Sequence, residues 1–136
     1  MADPKNASHR VSIKCAFIAN HKVLTMHLID KHWTLVGGGV DEWEDIIAAM
    51  KREFWEETWC VRKESFQPEL IHAEIHQYPQ KWQFSAVVNL FYKIDVDQEF
   101  PVHPEPGVYE AYCRCSKEEL IKLSGKFNKE VVLTYM

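Results

Sequence analysis

The chain has 136 residues, 46 % of them hydrophobic and 26 % charged, and a formal net charge of −4. That length and composition fit one globular domain able to bury a core, and an acidic balance without a basic block argues against a general nucleic-acid binder, although an enzyme acting on the end of an RNA stays possible. The apolar runs are too short to span a bilayer, and Met1-Ala2-Asp3-Pro4-Lys5 lacks an apolar signal core, so no membrane role and a cytoplasmic location are expected.

Residues 1–10 read as a tail and 11–136 as the domain. Val11–Ile18 and Lys22–Leu28 read as strands around a hairpin turn at Asn20-His21. Trp33–Val36 reads as a short strand leading into Gly37, Gly38 and Gly39. Glycine permits positive φ and lets an ion or ligand approach a main-chain carbonyl, so this run is expected to form a flexible corner. From Glu44 to about Thr58 there is neither Gly nor Pro, and Ile47, Met50 and Phe54 recur at helical spacing. Glu69–Gln77 alternates, and Lys81–Ile94 is rich in Val, Phe and Tyr. These two expected strands flank a turn at Tyr78-Pro79-Gln80. A polar stretch with prolines at 101, 104 and 106 precedes a strand over Val108–Cys115. Ser116-Lys117-Glu118-Glu119 is a capping box opening a helix with Leu120 and Leu123 on its apolar side. Asn128 is expected to cap a last helical stretch to Tyr135. No internal repeat or second domain is visible.

The chemistry concentrates in the first helix. Glu53, Glu56 and Glu57 stand three and four positions apart, so they project from one face as neighbours. At about 6 Å and an effective dielectric of about 20, each like-charged pair costs about 3 kcal/mol. Arg52 alone does not offset three such charges, so a carboxylate keeps a proton or a cation sits among them. Hard oxygen donors in this number suit Mg²⁺ or Mn²⁺. An isolated acidic helix is ordinarily a solvated face; the fixed gaps back to the glycines argue otherwise here.

The stretch runs Gly38, five residues, Glu44, seven residues, then Arg52-Glu53-Phe54-Trp55-Glu56-Glu57. It resembles the signature of the Nudix hydrolases, matching at Gly38, Glu44, Arg52, Glu53, Phe54, Glu56 and Glu57. The resemblance implies an α+β fold, a single-domain α/β/α sandwich with a mixed sheet between helices. It implies hydrolysis of a pyrophosphate bond in a nucleoside diphosphate linked to another group. By the same resemblance, Glu53, Glu56 and Glu57 would hold the metal with a carbonyl from the Gly37 region, Arg52 would orient the glutamates, and Glu44 would support the cluster from outside. Two positions depart from the pattern: Trp59 replaces the glycine after the paired glutamates, and Trp43 replaces the glycine common before the first glutamate. Packing is the expectation for both indoles, with stacking on a base or sugar as the alternative.

A metal bound there would neutralise phosphate charge and lower the pKa of an attacking water. The general base is Glu53 or an acid from the later loop, among Asp97, Glu99, Glu105 and Glu110. Nucleoside triphosphates, dinucleoside polyphosphates and ADP-ribose or nucleotide sugars are the substrate classes considered, with a catalytically silent nucleotide sensor as the different class. Gly38, Arg10, Tyr78 and Trp82 are the candidate substrate contacts, with Lys14, Lys81 and Trp33 behind them. The expected partner is a nucleotide-type small molecule, and the chain is a monomer or homodimer. Cys15 and Cys60 stand alone, and the C-x-C pair at Cys113 and Cys115 falls short of a zinc site; buried reduced thiols are expected.

Overall fold

Asn20 and His21 both take positive φ, 52° and 60°, the backbone that closes a two-residue hairpin between right-twisted strands. They join β1 (His9–Ala19) to β2 (Lys22–Leu28). The structure, a computed structural model, describes residues 9–29, 32–58, 67–77, 84–96, 101–125 and 127–136, with side chains at all of these except 57 and 58. In chain order there follow β3 (Trp33–Gly39), α1 (Ile46–Thr58), β4 (Glu69–Gln77), β5 (Ala86–Asp95), β6 (Tyr109–Cys115), α2 (Lys117–Lys122) and α3 (Lys129–Thr134).

Among the described residues the strands form one six-stranded sheet in the order β4-β5-β1-β3-β2-β6. It is mixed, because β1 and β5 run parallel while the other pairs are antiparallel. Each face is covered by helix. On one side Ala49, Met50 and Phe54 of α1 pack against Ile13, Cys15, Phe17 and Val36, with the Phe17 and Phe54 rings 4.8 Å apart. Truncating a ring buried this way costs about 3–5 kcal/mol. On the other side Leu120 of α2 and Val132 of α3 meet Ala16, Ile18, Val23, Leu35 and Phe91. The result is the expected α/β/α sandwich. No helix among the described residues is long and apolar enough to cross a membrane.

Several local expectations change. Gly37–Gly39 are not a flexible corner but the last residues of β3, paired in register with Lys14, Ile13 and Ser12. None of the three has positive φ; among described glycines only Gly107 does. Close approach is what requires them: a Cβ on Gly37 would strike the Ile13 carbonyl, and one on Gly39 the Arg10 guanidinium. Ile47 is 38 % exposed, and Ile46 packs in its place. The core-facing stripe of α1 is therefore Ile46, Ala49, Met50, Glu53 and Phe54, which puts a glutamate among apolar residues. β5 starts at Ala86, later than Lys81, because Ala86 is where partners begin on both sides, His9 and Gln77. The expected turn at 78–80, residues 81–83, Trp59 and Cys60 lie outside the described residues.

The caps form as the sequence anticipates. Ser116 and Glu119 exchange side-chain and backbone bonds at the start of α2, and the Asn128 side chain accepts the Val131 N–H at the start of α3. The Ser116 bonds hold the Glu119 carboxyl below its usual range.

Candidate active site

The first turn of α1 fixes where its carboxylates start. The Asp45 carboxylate accepts the Ala48 N–H at 2.7 Å, and its carbonyl accepts the Ala49 N–H at 2.9 Å, which is N-cap geometry. Two turns on, Arg52 leaves the helix toward β3 and the loop before α1. A guanidinium carries five N–H groups, and here every one has an acceptor. Nε donates to Glu44 Oε2 at 2.7 Å and Nη2 to Glu44 Oε1 at 2.8 Å, a two-pronged fork. The second Nη2 proton goes to the Gly39 carbonyl at 2.9 Å. Nη1 donates to Glu53 Oε1 at 2.8 Å and Glu56 Oε2 at 3.3 Å. Asp41 Oδ2 stands 3.4 Å from Nε and completes the ring of acids.

This network fixes charge as well as shape. The Arg52 fork, with the Asp41 N–H donating to Glu44 Oε1 at 2.9 Å, holds the Glu44 carboxyl down at about 2, from an ordinary 4.5. Glu44 in turn, ahead of Glu53, pushes the Arg52 pKa up against the opposing effect of burial. Both groups are ionised throughout the neutral range.

Glu53 is 8 % exposed, on the core-facing side of α1, whereas the Glu56 side chain is 41 % exposed. Because both accept from one guanidinium nitrogen, their carboxylates sit side by side. Behind Glu53 lies Gly38: a Cβ there would come within 2.5 Å of Glu53 Oε1 and 2.7 Å of Oε2. Two carboxylates converging in a spot kept clear of carbon have the donor chemistry for Mg²⁺ or Mn²⁺. Glu57 follows directly on α1, with its side chain outside the described set. Among the described residues no group of three or more His, Cys, Asp or Glu side chains forms a metal cage by itself.

The other expected residues fall in several places. Gly37 pairs with Lys14 across β1 and β3, and the Arg10 guanidinium covers Gly39. Tyr78, Trp82, Lys81, Asp97 and Glu99 lie outside the described residues. Glu110 is engaged elsewhere, 3.3 Å from His27 Nδ1, and the His27 ring stacks on Trp33 at 4.7 Å. Trp33 opens β3 and Gly38 nearly closes it, so the Glu110 pair sits about 17 Å from Gly38 along the strand. Glu105 follows Val102, whose side chain joins the core beneath α1. Of the two indoles expected to pack, Trp59 lies outside the described residues and Trp43 is instead 102 % exposed.

Three participants were not singled out from sequence: Asp41, Asp45 and the Gly39 carbonyl. Asp45 was findable, as an Asp one residue before an apolar helical stripe. On the face of the sheet away from α1, Lys14, Glu74, His76, Asn89, Phe91, Phe127 and Asn128 line a cavity of about 290 Å³. Within it Glu74 Oε2 and His76 Nε2 are 3.1 Å apart. Lys14 carries the cavity to the edge of the glycine segment. No periodicity or spacing marks these residues, which come from three strands, the loop before α3 and the cap of α3.

The sulfurs of Cys113 and Cys115 are 3.0 Å apart, and Cys15, Cys113 and Cys115 are free thiols. Burial, relieved in part by a contact with Thr25, pushes the Cys115 thiol up to about 12.

The NUDIX domain family model matches residues 8–135. No curated protein sequence matches the chain. Among solved structures, the Escherichia coli dihydroneopterin triphosphate pyrophosphohydrolase superposes with a TM-score of 0.76 at 18 % identity, over 92 % of this chain and 93 % of that one. A MutT NUDIX hydrolase from Burkholderia pseudomallei gives 0.74 at 21 % identity, over 93 % and 96 %. The NUDIX domain of Shewanella oneidensis NrtR, solved with ADP ribose, gives 0.73 at 15 % identity, over 98 % and 92 %. With a family model covering nearly its whole length, this chain belongs to the Nudix family.

Proposed function

We propose that the chain is a divalent-metal-dependent Nudix pyrophosphohydrolase that cleaves a nucleoside diphosphate derivative. The observation that carries this is the Arg52 hub, which binds Glu44, Glu53, Glu56 and the Gly39 carbonyl at once. Glu53, Glu56 and Glu57, with the Gly37 carbonyl, are the residues that hold Mg²⁺ or Mn²⁺ in this reading. When bound, such a cation neutralises phosphate charge and acidifies a water.

The protein's own groups do the rest. Arg52 keeps Glu53 and Glu56 at fixed positions, since its Nη1 donates to both carboxylates. Glu44 fixes Arg52 in turn. Glu53 is the first candidate for accepting the proton of the attacking water, because its carboxylate is sheltered from bulk solvent and held on one side by Arg52 Nη1; Glu105, anchored through Val102, is the second. Arg10 and Lys14 lie on the sheet face next to the glycines and offer positive charge to phosphates. The cavity beyond Lys14 offers room for a second group of a larger substrate, such as the distal nucleoside of a dinucleoside polyphosphate, with Phe91 and Phe127 for ring faces and Asn89 and Asn128 for polar edges.

Purified protein with Mg²⁺ or Mn²⁺ is to be offered nucleoside triphosphates, dinucleoside polyphosphates, ADP-ribose, nucleotide sugars and 5′-triphosphate RNA. Turnover of at least one is expected, and Glu56→Gln and Glu57→Gln should each lower it at least about a hundredfold with the fold intact. Tight binding without turnover of any compound would instead identify a nucleotide sensor.

A further inference from the structure

Most residues with an unusual backbone in this fold have an evident structural use, and Trp43 does not. Its φ is +65°, in the left-handed region where a side chain with a Cβ is disfavoured. Asn20 and His21 share that feature, but they close a hairpin that the sheet requires. Trp43 is the third residue of the turn Asp41–Glu44, closed by the Glu44 N–H donating to the Asp41 carbonyl at 3.2 Å. A positive φ at that place in a turn is ordinarily taken by glycine or asparagine. The side chain gains nothing by packing, since it is 102 % exposed. A strained residue carrying the largest apolar side chain wholly into water is doubly unfavourable, and such positions cluster where a ligand is handled.

The turn that presents this indole is rigid at its base. Glu44 is its last residue and is gripped by both prongs of Arg52. Asp41 is its first and lies 3.4 Å from the same guanidinium. The indole is thus mounted one residue from the Arg52 hub that also holds Glu53 and Glu56. Asp41, Glu42 and Asp45 flank it, so the phosphate end of a nucleotide is repelled there and an uncharged or cationic flat group is accepted.

We infer that Trp43 is a stacking platform for a planar ring of the substrate, favouring ring-bearing phosphate compounds over ring-free ones at this site. The inference rests on the proposed hydrolase reading and extends it from bond type to ring recognition. Stacking needs only an aromatic face, so it tolerates a range of bases. It acts on binding and leaves the proton transfers at Glu53 untouched.

Binding of GTP, ATP and inorganic tripolyphosphate, each with Mg²⁺, is to be measured by calorimetry for the wild type, Trp43→Gly and Trp43→Phe. All three proteins also carry Glu56→Gln, which prevents hydrolysis during the titration. Trp43→Gly should lose about tenfold in affinity for the better-bound nucleotide, keep its tripolyphosphate affinity, and melt about 3 °C higher because the backbone strain is relieved. Trp43→Phe should retain most of the nucleotide affinity. Nucleotide affinities within twofold in Trp43→Gly, with tripolyphosphate still bound, would overturn the platform and leave the hydrolase reading standing. An equal loss for tripolyphosphate would assign Trp43 to the shape of the Arg52 turn and also overturn it. Failure of the Glu56→Gln background to bind either nucleotide would overturn the platform and leave the hydrolase reading to the turnover panel.

Discussion

Replacing Gly38 by alanine tests the geometry of the acid cluster with a single methyl group. The new Cβ would stand 2.5 Å from Glu53 Oε1 and 2.7 Å from both Oε2 and Cδ, whereas ordinary contact begins at 3.4 Å. The Glu53 carboxylate must retreat by about 0.9 Å, or β3 must lift by as much, because interiors at this density have no slack to share. A misplacement on the order of 1 Å at reacting groups costs about a hundredfold in rate, and overpacking a buried site costs about 1–3 kcal/mol of stability. Gly38→Ala should therefore lower turnover about a hundredfold and weaken Mn²⁺ binding, read by electron paramagnetic resonance, while melting several degrees lower. Gly107→Ala is the control: it sits at φ +81° with nothing within 4 Å of an added Cβ, so it should lose some stability and no activity. If Gly38→Ala keeps turnover within threefold and Mn²⁺ affinity unchanged, Glu53 does not work from the position described.

Arg52→Lys keeps the charge but offers three N–H groups from one point in place of a five-donor fork. It should lower turnover at least about tenfold, and wild-type kinetics would show that the network is decorative. Acid unfolding reports on Glu44. Its pKa falls from 4.5 to about 2 on folding, so the unfolded chain binds the proton more readily and the contribution of Glu44 is complete above about pH 4.5. That contribution drains away as pH drops toward 2. Urea midpoints between pH 6 and pH 2 should fall more steeply for wild type than for Glu44→Gln; parallel curves would contradict the assignment.

The order of strands and helices could be read because periodicity and punctuation agree along most of the chain. Asn20-His21 between two apolar runs, the Ser116 box and the Asn128 cap are local signals, and each formed where local chemistry places it. Glu53 and Glu56 come together for the same reason, since a helix sets residues three apart side by side. What escaped was set by contacts distant in sequence. Gly37–Gly39 look flexible in isolation and are held extended by pairing with β1. Ile46, not Ile47, faces the core, a rotation of one residue decided by how α1 meets Ile13 and Val36. The cavity on the far face draws on residues from Lys14 to Asn128, a grouping visible only once the sheet is assembled.

The parallel ladder between β1 and β5 runs from His9 beside Ala86 to Ile18 beside Asp95. The innermost strand of the sheet thus waits for a partner that leaves the ribosome much later, and a nascent chain ending before that point carries one flank of β1 bare. Topologies that defer pairing in this way assemble slowly and expose sticky edges meanwhile. Closing the sheet then waits for β5, and fragments truncated ahead of Ala86 leave that flank of β1 unpaired.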